Sequence, residues 1–477
     1  MTTKYFFWIF IFVINLLRLR AASQFGLTVD EAHYVLYGQF LDWSYFDHPP
    51  LIGWTHWIFH LLPIDHLIRA RIPAILITLL TSKLIFNYLI SKNISEKNSL
   101  LAISALQLTP MFNTLSIVLL PDSFLMPLTI LILTITEKIK HHSNLKNWSL
   151  LGLYLGLAGL SKYTAVLFIF SLILIFIFNK QFKELLKPHF WVGVFIALAL
   201  ISPVLYWNIK NNWISFQYQA EHVLSLDTSL LQNLGGSAII QLISWGVTPF
   251  LFSITAFFLI LKDIRKENIF FECFLFLSVF LLFFTYAATS EVLLPHWMTI
   301  YFVIMIPIAY SYFLQNHRSL KWIILGTSIS AFISLALLFE ISFKVFPTKT
   351  TANFYEGVIG WDQLLAEANN KLKALPPAKK ALAVMNWTLG SRAMYYNKQN
   401  TELFVIDKRF DQFDIWSPQH NIGYDLLLII EDNKKDENLG HINCVQLTEV
   451  GEFKTFLKEV PVNHFLYYHC ANFLGYK

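Results

Sequence analysis

Residues 148–178, WSLLGLYLGLAGLSKYTAVLFIFSLILIFIF, decide how the chain is threaded. As one helix they would extend ~46 Å at ~1.5 Å per residue, well beyond the ~30 Å hydrocarbon core of a bilayer. The interruption Gly159-Leu-Ser-Lys162 sits near the middle. Two crossings that meet at Lys162 satisfy the length constraint, and the basic residues of the rest of the chain favour the same division. With two crossings, one side receives Lys4, Lys92, Lys97, Lys138, Lys140, Lys146, Lys180, Lys183, Lys187, Lys262, Arg265, Lys266, Arg318 and Lys321. The interior loops of the opposite side keep only Lys162 and Lys210, apart from arginines at the ends of the first two spans. A single crossing would move Lys180, Lys183 and Lys187 to the wrong face. The positive-inside rule therefore predicts eleven spans, the N-terminus cytoplasmic and the C-terminus outside.

Composition agrees with a membrane chain. Of 477 residues 55% are hydrophobic and only 14% charged, 44 are Phe, and the mean hydropathy is +0.51. A soluble fold of this size has no interior large enough for that much apolar surface. Nucleic acid is excluded as a partner, because no basic patch stands outside the membrane-flanking loops. Apolar runs fall at about 5–20, 67–90, 99–119, 124–137, 148–160, 163–178, 189–206, 238–260, 269–287, 297–313 and 322–339. The first follows Lys4 and lacks a small-residue cleavage site, so it reads as a retained signal-anchor. From about 343 the material changes to polar sequence with short β-type runs at 381–385, 402–406, 425–430 and 444–447 and a helix-like piece at 389–396. The expected fold is mainly α: a polytopic transmembrane helix bundle in residues 1–342, with interfacial helices in the first outer loop, and a small C-terminal α/β extracytoplasmic domain in 343–477. Cys444 and Cys470 both lie in the tail, where they either pair or stay as two buried thiols.

The first outer loop carries the strongest chemical signal. Residues 28–50, TVDEAHYVLYGQFLDWSYFDHPP, hold Asp30, Glu31, Asp42 and Asp47, with no Lys or Arg anywhere from 21 to 68. Thr28 and Glu31 fit a capping box, and Ala32, Val35, Leu36 and Phe40 form an apolar stripe at helical spacing. This predicts a helix lying on the membrane interface and ending near Leu41. A second helix begins at Pro49-Pro50. Capping accounts for Glu31 as readily as chemistry does. Asp30 is harder to explain away, since Thr28 already supplies the cap and a neighbour on a helix points ~100° away. Asp47, before His48-Pro-Pro, has a turn-forming role as its alternative.

Other outer-face residues are Asp122 in Leu120-Pro-Asp-Ser, Lys162 and His296. Asp122 is either a helix cap or a site acid. A lone ammonium at Lys162 is suited to hold phosphate. Arg69 and Arg71 are expected to reach lipid head-groups. His56 and His60, four apart, offer two metal ligands without an evident third. No cofactor is required, and a divalent metal is left open.

The motifs also resemble a known family. TVDEAHYVLYGQFLDWSYFDHPPLIGW is similar to the first-loop motif of bacterial GT-C glycosyltransferases related to the dolichyl-phosphate-mannose protein mannosyltransferases, a broad group that includes the lipid A aminoarabinose transferases. LLPDSFLMPL, GLSKYTAVL and LPHWMTIYF resemble their later outer-loop motifs, and GVIGWDQL with FDQFDIW resembles the tail of the sugar-transferase branch. The resemblance implies that Asp30 is the catalytic carboxylate, that Asp122 matches an acid of the same cleft, and that the donor is a polyprenyl-phosphate sugar with no nucleotide. Where the aminoarabinose branch tends to carry Lys before the proline this chain has His48, which shifts the phosphate-binding expectation to Lys162.

The expected function is transfer of a sugar, by inverting displacement, to an extracytoplasmic acceptor: lipid A or another part of lipopolysaccharide, or a protein hydroxyl. The expected location is a bacterial inner membrane with the site and tail periplasmic. Asp30, Glu31 and Asp122 are the catalytic candidates, and Asp47, His48, Lys162 and His296 the substrate-binding ones. The rivals are a proton-coupled transporter, for which Lys83 is the main ionisable residue inside a span, and a scaffold whose tail recruits envelope proteins.

Overall fold

The chain leaves helical geometry at Lys162, where φ is −153° and ψ 143°. Residues 148–178 thus make two helices, as their length requires. The computed structural model describes residues 2–224, 229–262, 270–315, 320–346, 355–407, 409–417 and 421–476. Arg265, Lys266 and Arg318, which enter the charge argument, lie outside them. The described residues fall into two compact units. The first is Met1–Ala21, Asp42–Thr55 and Arg71–Phe339; the second is Ala22–Leu41, His56–Ala70 and Glu340–Lys477.

Helices account for nearly all of the chain before the tail. In order they are α1 (Thr2–Ala22), α2 (Val29–Gln39), α3 (Leu51–His60), α4 (His66–Ser91), α5 (Glu96–Gln107), α6 (Pro110–Leu115), α7 (Pro121–His141) and α8 (Leu145–Ser161). They continue with α9 (Val166–Phe178), α10 (Pro188–Lys210), α11 (Ile214–Leu224), α12 (Leu230–Trp245), α13 (Val247–Lys262), α14 (Phe271–Ala287), α15 (Thr299–Gln315) and α16 (Leu320–Phe343). Among the described residues four stretches are long and apolar enough to cross a membrane upright: Lys4–Ala22, His66–Ser91, Pro188–Lys210 and Lys321–Phe343. The remaining apolar helices are shorter or broken.

Two of the expected runs are divided. The run 99–119 splits into α5 and α6, because Pro110 cannot continue a helix but suits a first turn, and the Thr109 hydroxyl caps it by accepting the Phe112 amide at 3.4 Å. The run 238–260 becomes α12 and α13, bent by 114°. Gly246 sits at the bend with φ +87°, a conformation glycine adopts without steric cost. A third departure concerns Arg71, which is fully buried instead of extending to head-groups.

The second unit contains a five-stranded sheet. Its strands are β1 (Lys380–Val384), β2 (Leu403–Val405), β3 (Asp425–Glu431), β4 (Ile442–Leu457) and β5 (Val460–Tyr476), in the order β2-β1-β3-β5-β4. The pairs β1–β2 and β1–β3 are parallel; β3–β5 and β5–β4 are antiparallel. Alternate residues divide between two faces, as a pleated strand demands. On one face Leu382, Val384, Leu427, Ile429 and Tyr467 pack with α17 (Trp361–Ala374), α18 (Trp387–Tyr396) and Leu36 of α2. On the other, Ala381, Ala383, Leu426, Leu428 and Tyr468 form a separate cluster. Two hydrogen bonds tie the first half of α2 to the sheet helices: the Leu27 amide donates to the Tyr396 hydroxyl at 2.9 Å, and His33 Nδ1 meets Ser391 Oγ at 3.0 Å.

Sequence reading finds β1, β2, β3 and the start of β4, but misses β5 and the length of β4. Register shifts at Asn443/Cys444, Glu449/Gly451 and Thr455/Phe456 break the alternation that marks a strand. Cys444 and Cys470, on adjacent strands, form a disulfide. Closing a 26-residue separation, it is expected to stabilise the hairpin by about 3 kcal/mol. The Cys444→Ser/Cys470→Ser variant should therefore exchange its β4 and β5 amide hydrogens markedly faster, while α7 and α10 are unchanged. Unaltered exchange in β4 and β5 would remove the disulfide from the account of this sheet's stability.

Candidate active site

Five of the seven candidate residues fall in the first unit, and two of them, Lys162 and His296, converge on the carboxylate of a third, Asp122. Leu120 is the N-cap of α7 and Pro121 its first residue, so Asp122 stands in the first turn and does not cap. Ser123 Oγ instead accepts the Leu120 amide at 3.2 Å. Asp122 is 3% exposed. Lys162 Nζ donates to both its oxygens, at 2.8 Å each, and His296 Nε2 lies 4.0 Å from Oδ2. Ser161 Oγ donates to Pro121 O at 2.6 Å and ties the end of α8 to the start of α7. The extended conformation of Lys162 is therefore the feature that aims its ammonium at Asp122.

Lys162 is consequently not the lone ammonium expected from sequence. Two of its three N–H groups serve Asp122, which leaves one donor by count for an incoming anion. The ion pair is neutral as a unit and buried, so both members depend on each other.

His296 lies before α15. Burial pushes its pKa down to about 4; Asp122 pulls it upward but is outweighed, with Lys162 and His48 adding to the depression. The imidazole is thus neutral at pH 7. The unfolded chain, near the ordinary 6.5, takes up this proton first as pH falls. Stability attributable to the site is therefore intact above pH ~6.5 and is lost progressively towards pH ~4, by up to about 3 kcal/mol. His296→Gln should flatten this acid limb of the unfolding midpoint against pH, and an unchanged limb would assign it to other groups.

Asp47 and His48 approach this cluster from the loop between α2 and α3. His48 Nδ1 is 3.0 Å from Asp47 Oδ2, and His48 is close enough to act electrostatically on His296. The loop itself is held through its backbone. Gln219 Nε2 donates to Asp47 O at 3.0 Å, Ser215 Oγ to Tyr45 O at 3.0 Å, and the Tyr45 amide to His48 O at 3.1 Å. Asp42, counted among the unneutralised acids, accepts from Trp207 Nε1 at 2.8 Å and from the Trp43 amide at 2.7 Å. Sequence reasoning missed Trp207, Ser215, Gln219 and also Tyr163, whose hydroxyl meets Ser44 Oγ at 3.3 Å. Only Tyr163, adjacent to Lys162, carried any signal.

Below Lys162 and Tyr163 lies an apolar cavity of about 470 Å³ between α8, α9 and α10. Leu155, Gly159, Ile169, Ile173, Leu198 and Ile201 line its walls, and Trp148 and Phe190 its far end. Helices α8 and α10 approach so closely that a Cβ on Gly152 would stand 2.1 Å from Gly193 O. The arrangement is a long apolar slot with an ammonium, a phenol and a buried carboxylate at one end.

Asp30 and Glu31 belong to the second unit. Thr28 Oγ1 accepts the Glu31 amide at 3.4 Å, and Glu31 Oε2 accepts the Thr28 amide at 3.0 Å, completing the expected capping box. Asp30 occupies the same first turn, half-buried, outside the box. The His56/His60 pair is divided: His56 is buried, its pKa pushed down to about 3 by burial, and His60 is exposed. Among the described residues no three His, Cys, Asp or Glu side chains are gathered to hold a metal.

Helical and polytopic with a small sheet unit, the chain shares its fold with a solved membrane protein and matches one family model over part of its length. Residues 47–207 match the dolichyl-phosphate-mannose-protein mannosyltransferase family. The structure is similar over 98% of this chain and 98% of the other to ArnT from Cupriavidus metallidurans bound to undecaprenyl phosphate, with TM-score 0.65 and 13% identity. ArnT from the same organism in the apo state gives TM-score 0.64 and 14% identity, with the same coverage of both chains. No curated protein matches by sequence.

Proposed function

We propose that this protein is a glycosyltransferase that moves a sugar from a polyprenyl-phosphate donor to an extracytoplasmic acceptor, lipid A or another part of lipopolysaccharide. The observation that carries the reading is the apolar cavity ending at Lys162 and Tyr163 beside the buried Asp122. A polyprenyl chain needs an apolar bed about as long as a membrane leaflet, and its phosphate needs a positive partner at the end of that bed. The family match over residues 47–207 and the ArnT-like fold support the same donor class.

The reaction is a single displacement at the sugar C1. The acceptor oxygen forms a bond to C1, the bond from C1 to the phosphate oxygen breaks, and polyprenyl phosphate leaves with the electron pair. Asp30, which matches the first-loop acid of the resembling family, takes the proton of an acceptor hydroxyl. The remaining Lys162 N–H and the N–H of the neutral His296 donate hydrogen bonds to the leaving phosphate as its charge develops. Asp47 and His48 orient the donor head.

Incubation of the purified full-length protein with undecaprenyl-phosphate sugars tests this reading by release of undecaprenyl phosphate. Mass spectrometry of lipopolysaccharide from cells with and without the gene identifies the sugar as one missing mass. The cavity has its own test. Ile169, about half exposed on α9, lines it, and Ile169→Trp should raise the donor KM about tenfold with kcat nearly unchanged. An unaltered KM would place the polyprenyl chain elsewhere.

A further inference from the structure

A second groove lies between α1, α4 and α5, where α1 and α5 begin and α4 ends, lined by Lys4, Trp8, Ser82, Lys83, Phe86 and Glu96 among others. Its volume is about 80 Å³. None of its residues takes part in the Asp122 cluster. Lys83 is exposed on α4, eight residues before the helix ends at Ser91, so its Cα lies ~12 Å inside that end. An ammonium at such depth is costly unless it is paired or reaches the interface. Lys83 meets no carboxylate among the described residues; its nearest feature is the Phe86 ring, 5.5 Å from Nζ. Lys4 is only loosely engaged, 3.8 Å from Glu96, with both side chains more than half exposed. Ser82 is already committed, donating to Thr78 O and accepting from Gln107 Nε2 at 2.7 Å each.

The groove therefore carries two cations against one anion, beside the apolar side chains of Phe7, Trp8 and Ile11. We propose that it binds one anionic phospholipid, whose phosphodiester sits between Lys83 and Lys4 and whose acyl chains lie along α1. The net positive charge selects this occupant over a zwitterionic lipid, since a basic pocket between helices gains from each anionic headgroup it meets. The proposal is independent of the donor site and goes beyond the transfer reaction.

Native mass spectrometry of the full-length protein in detergent tests it, with phosphatidylglycerol, phosphatidylcholine and undecaprenyl phosphate as probes. Phosphatidylglycerol should bind the wild type at lower concentration than phosphatidylcholine. Lys83→Met should weaken it about fivefold, and Lys83→Arg should leave it nearly unchanged. Lys4→Gln, at a position that no fold contact requires, should weaken it in the same sense if Lys83→Met fails to fold. Equal binding of the two phospholipids, or phosphatidylglycerol binding unaffected by both Lys83→Met and Lys4→Gln, would overturn the proposal. So would displacement of phosphatidylglycerol by an equal concentration of undecaprenyl phosphate, which would reassign the groove to the polyprenyl lipid.

Discussion

Asp122→Asn is expected to abolish sugar transfer and to lower the stability of the protein by about 3–5 kcal/mol. The second effect follows from burial: Asp122 is 3% exposed, and the substitution leaves the largely buried Lys162 ammonium, its side chain 13% exposed, with no counter-charge. Lys162→Met strands the carboxylate in the same way and should cost a similar amount. Activity loss in either single variant would then be ambiguous, because a damaged fold also loses transfer. The double variant Asp122→Asn/Lys162→Met resolves this. Removing both charges of a buried pair is often close to neutral for stability, so its unfolding midpoint in detergent should recover most of the loss. Release of polyprenyl phosphate should not recover at all, because the donor for the leaving phosphate is gone. A double variant that transfers sugar at the wild-type rate would make the pair a structural tie between α7 and α8 and nothing more.

The pair also marks how far sequence could be read. The break at Lys162 was legible because two quantities, helix length and the side on which lysines fall, gave the same answer. The partnership of Lys162 with Asp122 was not, since forty residues separate them and no local pattern encodes the contact. The capping box at Thr28 and Glu31 was legible for the opposite reason: both partners lie within one turn, and the spacing itself is the signal. The same locality explains which strands were found. Runs such as 425–430 are short and buried in the sheet centre, whereas β4 exposes many side chains and its pairing with β5 is interrupted by bulges that break the alternation of both strands. Asp42 is instructive among the acids. Its charge stood out in sequence, and its actual partners, the Trp207 indole and a neighbouring amide, are donors that composition cannot flag.

Asp30→Asn is expected to reduce transfer by roughly a hundredfold to ten-thousandfold, the range for loss of a positioned general base. The protein should remain folded. Asparagine has nearly the shape of aspartate, and Asp30 takes no part in the capping box, so the change spares the cap and removes the favourable first-turn charge, worth about 0.3–1 kcal/mol. Glu31 provides the control, since it shares the turn and the charge but has a structural role. Glu31→Gln keeps an oxygen able to accept the Thr28 amide and should change stability by less than about 1 kcal/mol. Glu31→Ala removes the acceptor and should cost about 1–2 kcal/mol. If Asp30 is the base, Glu31→Gln retains most of its transfer while Asp30→Asn does not, although the two differ from wild type by one charge each in adjacent positions. Near-normal transfer by Asp30→Asn would assign the proton elsewhere. Equal loss in both, with equal loss of stability, would mean that the helix start as a whole is required and neither carboxylate acts on the acceptor. With an acceptor phosphate, already anionic and needing no base, the Asp30→Asn defect should be the same from pH 6 to pH 8. A hydroxyl acceptor should instead show a defect that narrows as hydroxide takes over the proton, so the same variant distinguishes the two acceptor chemistries.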